Sequence, residues 1–117
     1  MKATCKSFND AVRGLKVVFK EERNFKIEIF ISIAVLIFAR FFNFDIYEII
    51  PLVIVIFMVI TAEIINTAVE DLCNIVEPNQ SPKIGKIKDI TASYVLVSVI
   101  SAVVVGLLVV CYHFNLI

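Results

Sequence analysis

The stretch TAEIINTAVED places Glu63, Asn66, Thr67 and Glu70 at i, i+3, i+4 and i+7. That is the spacing of one helix face. Asn74 continues the stripe, with Asp71 and Glu77 close by, and the apolar run PLVIVIFMVI directly precedes it. An ionised carboxylate at the edge of such a run costs on the order of several kcal/mol unless it is paired, neutralised or bound to a cation. Three chemistries suit the stripe: a proton relay, an ion site, or a metal-dependent active site. Asp71 and Glu77 read as solvated acids at a helix end. Glu63 lies too deep for that reading, and Glu70 shares its face with an amide.

Other reactive groups flank the stripe. Glu21, Glu22 and Glu28 sit in EERNFKIE, where the chain enters its first apolar run. The segment GKIKD sets Lys88 and Asp89 ahead of the last one. A lysine at that interface can meet a phosphate. An aspartate there can anchor a lysine or an adenosine, or cap a helix. No GxxxxGK[ST] loop and no glycine-rich kinase loop occurs. His113, the sole histidine, stands at the far end of the last run and reads as an interfacial residue, which disfavours a histidine-based metal site or triad. Cys5, Cys73 and Cys111 are isolated and read as small apolar side chains. A formal net charge of zero gives no basis for binding nucleic acid.

The elements that position these groups follow from composition. In 117 residues, 60% apolar, a single soluble domain could not hide its apolar surface, so lipid must be the solvent for much of it. Residues 1–26 form an amphipathic surface helix, with Phe8, Ala11, Val12, Leu15, Val18 and Phe19 on one face and Asp10, Arg13, Lys16 and Lys20 on the other. Apolar runs at 27–44, 49–76 and 90–112 read as spans. The middle helix, at roughly 40 Å, outruns the hydrocarbon core, so its acid-bearing turns emerge at the surface. NFDIYE reads as a short turn, and EPNQSPKIGKIKD, with its prolines and glycine, as a loop. The polar, basic segment ahead of the first run is the wrong order for a cleavable leader. Lys and Arg crowd the N-terminal segment and the second loop, and Arg40 alone falls on the other side. The N-terminus and second loop are therefore expected in the cytoplasm and the C-terminus outside. The fold class is all-α membrane protein: one domain, an N-terminal surface helix plus three transmembrane helices.

The run AEIINTAVEDLCNIVEPNQSPKIGKIKDITASYVL resembles the ExxNTAIExxxD…KDxxAAxVL signature of the prokaryotic diacylglycerol kinase and undecaprenol kinase family. The likeness extends over the amphipathic helix, the ERNFKIE entry, all three spans and both loops. It implies a small integral membrane kinase of the bacterial plasma membrane, a homotrimer whose sites are shared between neighbours. Such a kinase moves the γ-phosphoryl group of MgATP to a lipid hydroxyl at the cytoplasmic interface. Position by position, the resemblance implies Glu63 as general base and substrate contact, and Glu22 with Glu70 as the Mg²⁺ pair. It implies Asn66, Lys88, Asp89, Asp10, Asn79 and Gln80 on the nucleotide, and Glu28 and Arg13 toward the lipid. The chain departs from the pattern at Asn74, where the family usually has Asp. Asn79, Gln80 and Ser81 replace a loop that often reads Glu-Tyr-His, and Ser93 and Tyr94 replace small residues.

The chemistry agrees with the resemblance. Phosphoryl transfer needs charge neutralisation and alignment, two carboxylates can hold Mg²⁺, and Glu63 lies where a lipid hydroxyl sits. The competing readings are a small ion- or proton-conducting membrane protein and a non-catalytic scaffold. Neither requires Lys88–Asp89 at the surface or Glu22 at the entry. Between the two lipids, the ERNFKIE entry and the proline-bearing loop look more like the undecaprenol branch, with diacylglycerol next. Small residues at Ala34, Ser98, Ala102 and Gly106 are expected to allow close approach of helices between subunits.

Overall fold

Four helices build the described residues, 2–117, of a computed structural model of the chain: α1 (Lys2–Glu21), α2 (Arg23–Phe41), α3 (Ile46–Val76) and α4 (Pro82–His113). Among the described residues there is no strand. The surface helix stops at Glu21 rather than running to residue 26. Glu22 alone leaves the helical conformation, with φ −105° and ψ 110°, and α2 starts at Arg23. Its amide still donates to the Val18 carbonyl at 2.9 Å. The break is therefore an elbow of one residue. Val18 and Phe25, both buried, pin its two sides.

The turn between α2 and α3 is shorter than NFDIYE suggests. Asn43, with φ 58°, takes the left-handed conformation that closes α2. Phe44 N–H reaches back to the Ala39 carbonyl (2.9 Å) and Asn43 N–H to that of Arg40 (3.3 Å). Asn115 (φ 59°) ends α4 the same way. Asp45 then starts α3. Its carboxylate accepts from Glu48 N–H at 3.0 Å, and Glu48 accepts from Asp45 N–H at 3.3 Å. Such a reciprocal cap is worth about 1 kcal/mol.

The second loop is also cut back from its expected extent. Pro82 begins α4, in a turn where the missing proline N–H leaves no bond unmade. All of PKIGKIKD, expected as loop, is therefore helix. Asp89 stands two turns inside α4 and caps nothing, which removes the capping reading.

Helices α3 and α4 are the two, among the described residues, that are long and apolar enough to cross a membrane. Helix α2 carries Arg23, Lys26, Glu28 and Arg40 in its 19 residues. The dominant packing is α3 against α4, with α1 and α2 both laid on α3. Helices α2 and α4 converge at the end carrying Phe44, where Ala39, Phe44 and Leu52 form a core against Val35, Ile49, Val109 and Val110. The subunit measures 52 × 43 × 20 Å, a slab too thin to bury both faces of its helices. Phe30, Ile37, Phe57, Leu96 and Val97 are accordingly exposed.

Candidate active site

Helix α3 carries the site as a ladder. Glu63 is buried, at 3% exposure, in the same turns as Ala62 and Thr67. Thr67 Oγ1 donates to the Glu63 carbonyl at 2.9 Å, so its hydroxyl is spent on the helix backbone. Asn66 Nδ2 donates to Glu70 Oε1 at 3.2 Å, which holds that carboxylate along the stripe. Asn66 Oδ1 is buried without a hydrogen-bond partner. At the ladder's far end Asn74 Oδ1 accepts from Lys88 Nζ at 2.7 Å. From Glu63 to Asn74 the rungs cover roughly 16 Å along the axis.

Two other segments bring acids to this ladder. The elbow frees Glu22 from the helix, and its carboxyl falls within the field of Glu70, Glu63, Asp71 and Glu21. Partial burial first, and then those neighbouring carboxylates, raise the Glu22 carboxyl above its ordinary range. Helix α2 brings the Glu28 carboxyl to face that of Glu63. Glu28 Oε2 is buried with no partner among the described residues. No single helical periodicity could have joined Glu28 to Glu63, because the pairing depends on how α2 lies across α3.

Like charge gathers at this end of α3. Among the described residues, no three His, Cys, Asp or Glu side chains cluster closely enough to hold an ion.

The loop side of the ladder opens on a cleft of about 530 Å³ lined by Asn74, Glu77, Asn79, Gln80, Gly85 and Lys88 among others. The first turn of α4 borders it, which favours anions. Asn79, Gln80 and Lys88 thus line one cleft. Asp89 is exposed and outside the lining. Asp10 and Arg13 pair with each other at 3.3 Å on the exposed face of α1 and line neither this cleft nor the apolar groove beside Glu28. His113, read as an interfacial residue, is more tightly held than that reading implied. Its Nδ1 lies 2.8 Å from Glu48 Oε2 and its Nε2 donates to the Phe42 carbonyl at 2.9 Å. Its ring stacks on Phe44 with centroids 3.9 Å apart. This cluster stands at the opposite end of the helices from Lys88 and belongs to the scaffold.

Comparison with known proteins agrees with the geometry. The family model for prokaryotic diacylglycerol kinase matches residues 9–110. A protein of Bacillus subtilis named undecaprenol kinase is 30% identical over 104 residues, covering 89% of this chain and 85% of that protein. A Synechocystis protein named diacylglycerol kinase is 32% identical over 101 residues, covering 86% of this chain. The match spans 58% of the length of that Synechocystis relative. The matched residues contain the whole ladder, the elbow at Glu22 and the Lys88 end of the cleft, and the chain belongs to the prokaryotic diacylglycerol kinase family.

Proposed function

We propose that the protein phosphorylates the hydroxyl of a membrane lipid alcohol with MgATP, undecaprenol being the favoured acceptor and diacylglycerol the next. The observation that carries this reading is the ladder itself. It joins a polar cleft at Lys88 and Asn74 to a buried carboxylate at Glu63, which faces a second one at Glu28. A water-soluble donor and a membrane-soluble acceptor need such a route between two solvents.

In this reading the cleft takes the nucleotide, with Asn79 and Gln80 toward the base and Lys88 turning from Asn74 to a phosphate. Asp89 and Asp10 are further nucleotide contacts, and Arg13 a contact to the lipid headgroup. Magnesium, held by Glu22 and Glu70, would neutralise phosphate charge and fix its orientation. Asn66 offers its free carbonyl oxygen to hydroxyl or water hydrogens beside the phosphate. Glu63 accepts the proton of the attacking lipid hydroxyl, and Glu28 orients that hydroxyl. The lipid oxygen bonds to the γ-phosphorus as the bond to the bridging oxygen breaks, leaving ADP and a lipid phosphate.

Membrane placement follows the charges. Helix α2 joins α3 and α4 as a third span, α1 lies on the cytoplasmic surface, and the C-terminus is outside. Three subunits assemble with closed symmetry, which covers apolar faces the thin single subunit leaves exposed. Sites are shared with neighbours for what one subunit lacks. Within one subunit Glu22, Glu63 and Glu70 already gather, so a neighbour would add cover and further contacts around them. Transfer of labelled phosphate from MgATP to undecaprenol or to diacylglycerol in detergent micelles is the test. Purified protein that labels neither lipid overturns the assignment.

A further inference from the structure

Away from the ladder, three helix ends meet at one side chain. His113 closes the last turn of α4, Phe42 caps the end of α2, and Glu48 sits in the first turn of α3. The imidazole reaches both of the others. Its Nε2 donates to the Phe42 carbonyl at 2.9 Å, and its Nδ1 lies 2.8 Å from Glu48 Oε2. Phe44 stacks on the ring with the two planes 18° apart. The His113 and Glu48 side chains keep 18% and 10% of their surface exposed, so water can do little to replace the bonds between them.

The surroundings favour a charged ring. Nε2 spends its hydrogen on a carbonyl, so the short contact at Nδ1 needs a second proton. Imidazole is a stronger base than a carboxylate. A helix N-terminus stabilises an anion and a C-terminus a cation. All three helix ends therefore support a carboxylate at Glu48 and an imidazolium at His113. The face of Phe44 supports a cation too. Glu48 Oε1 accepts from Asp45 N–H at 3.3 Å, which suits an ionised carboxylate. Asp45 and Tyr47 of α3 and Tyr112 of α4 line the cleft beside Glu48. The Asp45 carboxylate is spent on Glu48 N–H, and both tyrosines are exposed. Arg40, in the last turn of α2, is exposed and forms no ion pair among the described residues.

We propose that His113, as an imidazolium, is a pH-sensitive latch that ties the ends of α2, α3 and α4 together and opens when the pH at that end rises. When the ring gives its Nδ1 proton to solvent, a bare nitrogen faces a carboxylate oxygen at 2.8 Å. Both atoms are then acceptors, and attraction turns to repulsion. Glu48 Oε2 loses its partner in a setting where an unpaired charge is costly. The sign follows directly. The latch stabilises the fold while the proton is held, and that contribution is lost as pH rises and the proton leaves. Phe42, Phe44 and Phe114 pack around the ring and lose their centre with it, so these helix ends part first. The device involves neither nucleotide nor lipid and stands apart from the kinase reading.

His113 is the only histidine in the chain, so isotope-labelled histidine reports this ring alone. Nitrogen NMR of the full chain in detergent micelles should show hydrogens on both ring nitrogens at neutral pH and on one in alkaline solution. The melting temperature should fall by several degrees over the same interval. Glu48→Gln is the deciding variant. A glutamine Oε1 still accepts from Asp45 N–H, and its Nε2 donates to an unprotonated Nδ1. In this variant the ring should carry one hydrogen at neutral pH, and the alkaline fall in melting temperature should disappear. A ring with a single hydrogen at neutral pH in the unmodified protein overturns the proposal. So does an equal fall in melting temperature for the two proteins. Should the variant not fold, the NMR titration of the unmodified protein decides alone.

Discussion

Lys88 Nζ donates to Asn74 Oδ1 across 2.7 Å, tying the second turn of α4 to the last turns of α3. The partner is a neutral amide, so the ammonium is held without being neutralised. A phosphate competes well for a cation parked in this way. Lys88→Met should raise the KM for MgATP at least about tenfold, the value of a hydrogen bond to a charged group, and leave the KM for lipid in place. Asn74→Leu should change the KM for MgATP far less. Initial rates at varied MgATP and fixed lipid decide it. An equal effect from both variants would show that Asn74 itself contacts the nucleotide.

Glu63→Gln keeps shape and burial while removing the proton acceptor. Turnover should fall by at least about a hundredfold, with MgATP affinity in detergent close to that of the unmodified protein. Near-normal turnover would assign the base elsewhere, Glu28 being the next carboxylate in reach.

Glu22 gives a pH dependence of known sign. Its carboxyl is raised by partial burial and then by Glu70, Glu63, Asp71 and Glu21, so the folded protein prefers it protonated. Its contribution to stability is therefore full below the ordinary carboxylate range and is lost as pH rises through the raised value. Without divalent cation, thermal melting from mildly acid to neutral pH should show a loss of stability that Glu22→Gln reduces. Magnesium should raise the melting temperature of the unmodified protein more than that of the variant. In MgATP binding, the loss from Glu22→Gln together with Glu70→Gln should be little worse than from either alone, since both act on one ion.

His113 bonds through both ring nitrogens. The Phe42 carbonyl can only accept, so Nε2 carries a hydrogen, and the contact from Nδ1 to Glu48 Oε2 then needs a proton on one partner. His113→Ala would leave a mostly buried carboxylate unpaired, at a cost of about 3 kcal/mol. The melting temperature in detergent should drop clearly. The KM for MgATP should not move, because Lys88 lies roughly 37 Å away along α4.

Some of this was readable from the residues. The i, i+3, i+4, i+7 spacing from Glu63 to Glu70 needs only a helix to become one face, and the bond from Asn66 to Glu70 follows from it. The end of α3 at Val76 was legible because EPNQSP follows it. The start of α4 was not, since Pro82 and Gly85 punctuate loops and also occupy the first turn of a helix. The pairing of His113 with Glu48, 65 residues apart, and the facing of Glu28 and Glu63 depend on how helices lie across one another. Hydrophobic periodicity identifies a buried face without identifying its neighbour.

The ladder from Glu63 to Asn74 depends on phase as much as on residue type. One residue inserted into α3 after Glu63 would turn everything beyond it by about 100°. Asn66 and Glu70 would keep their mutual spacing but swing away from Glu22, and Asn74 would leave Lys88, although no functional side chain had been lost. The bond between Asn66 and Glu70 would survive such an insertion while the alignment across helices failed. Helix α3 therefore tolerates exchange of its lipid-facing residues far better than any change in its length.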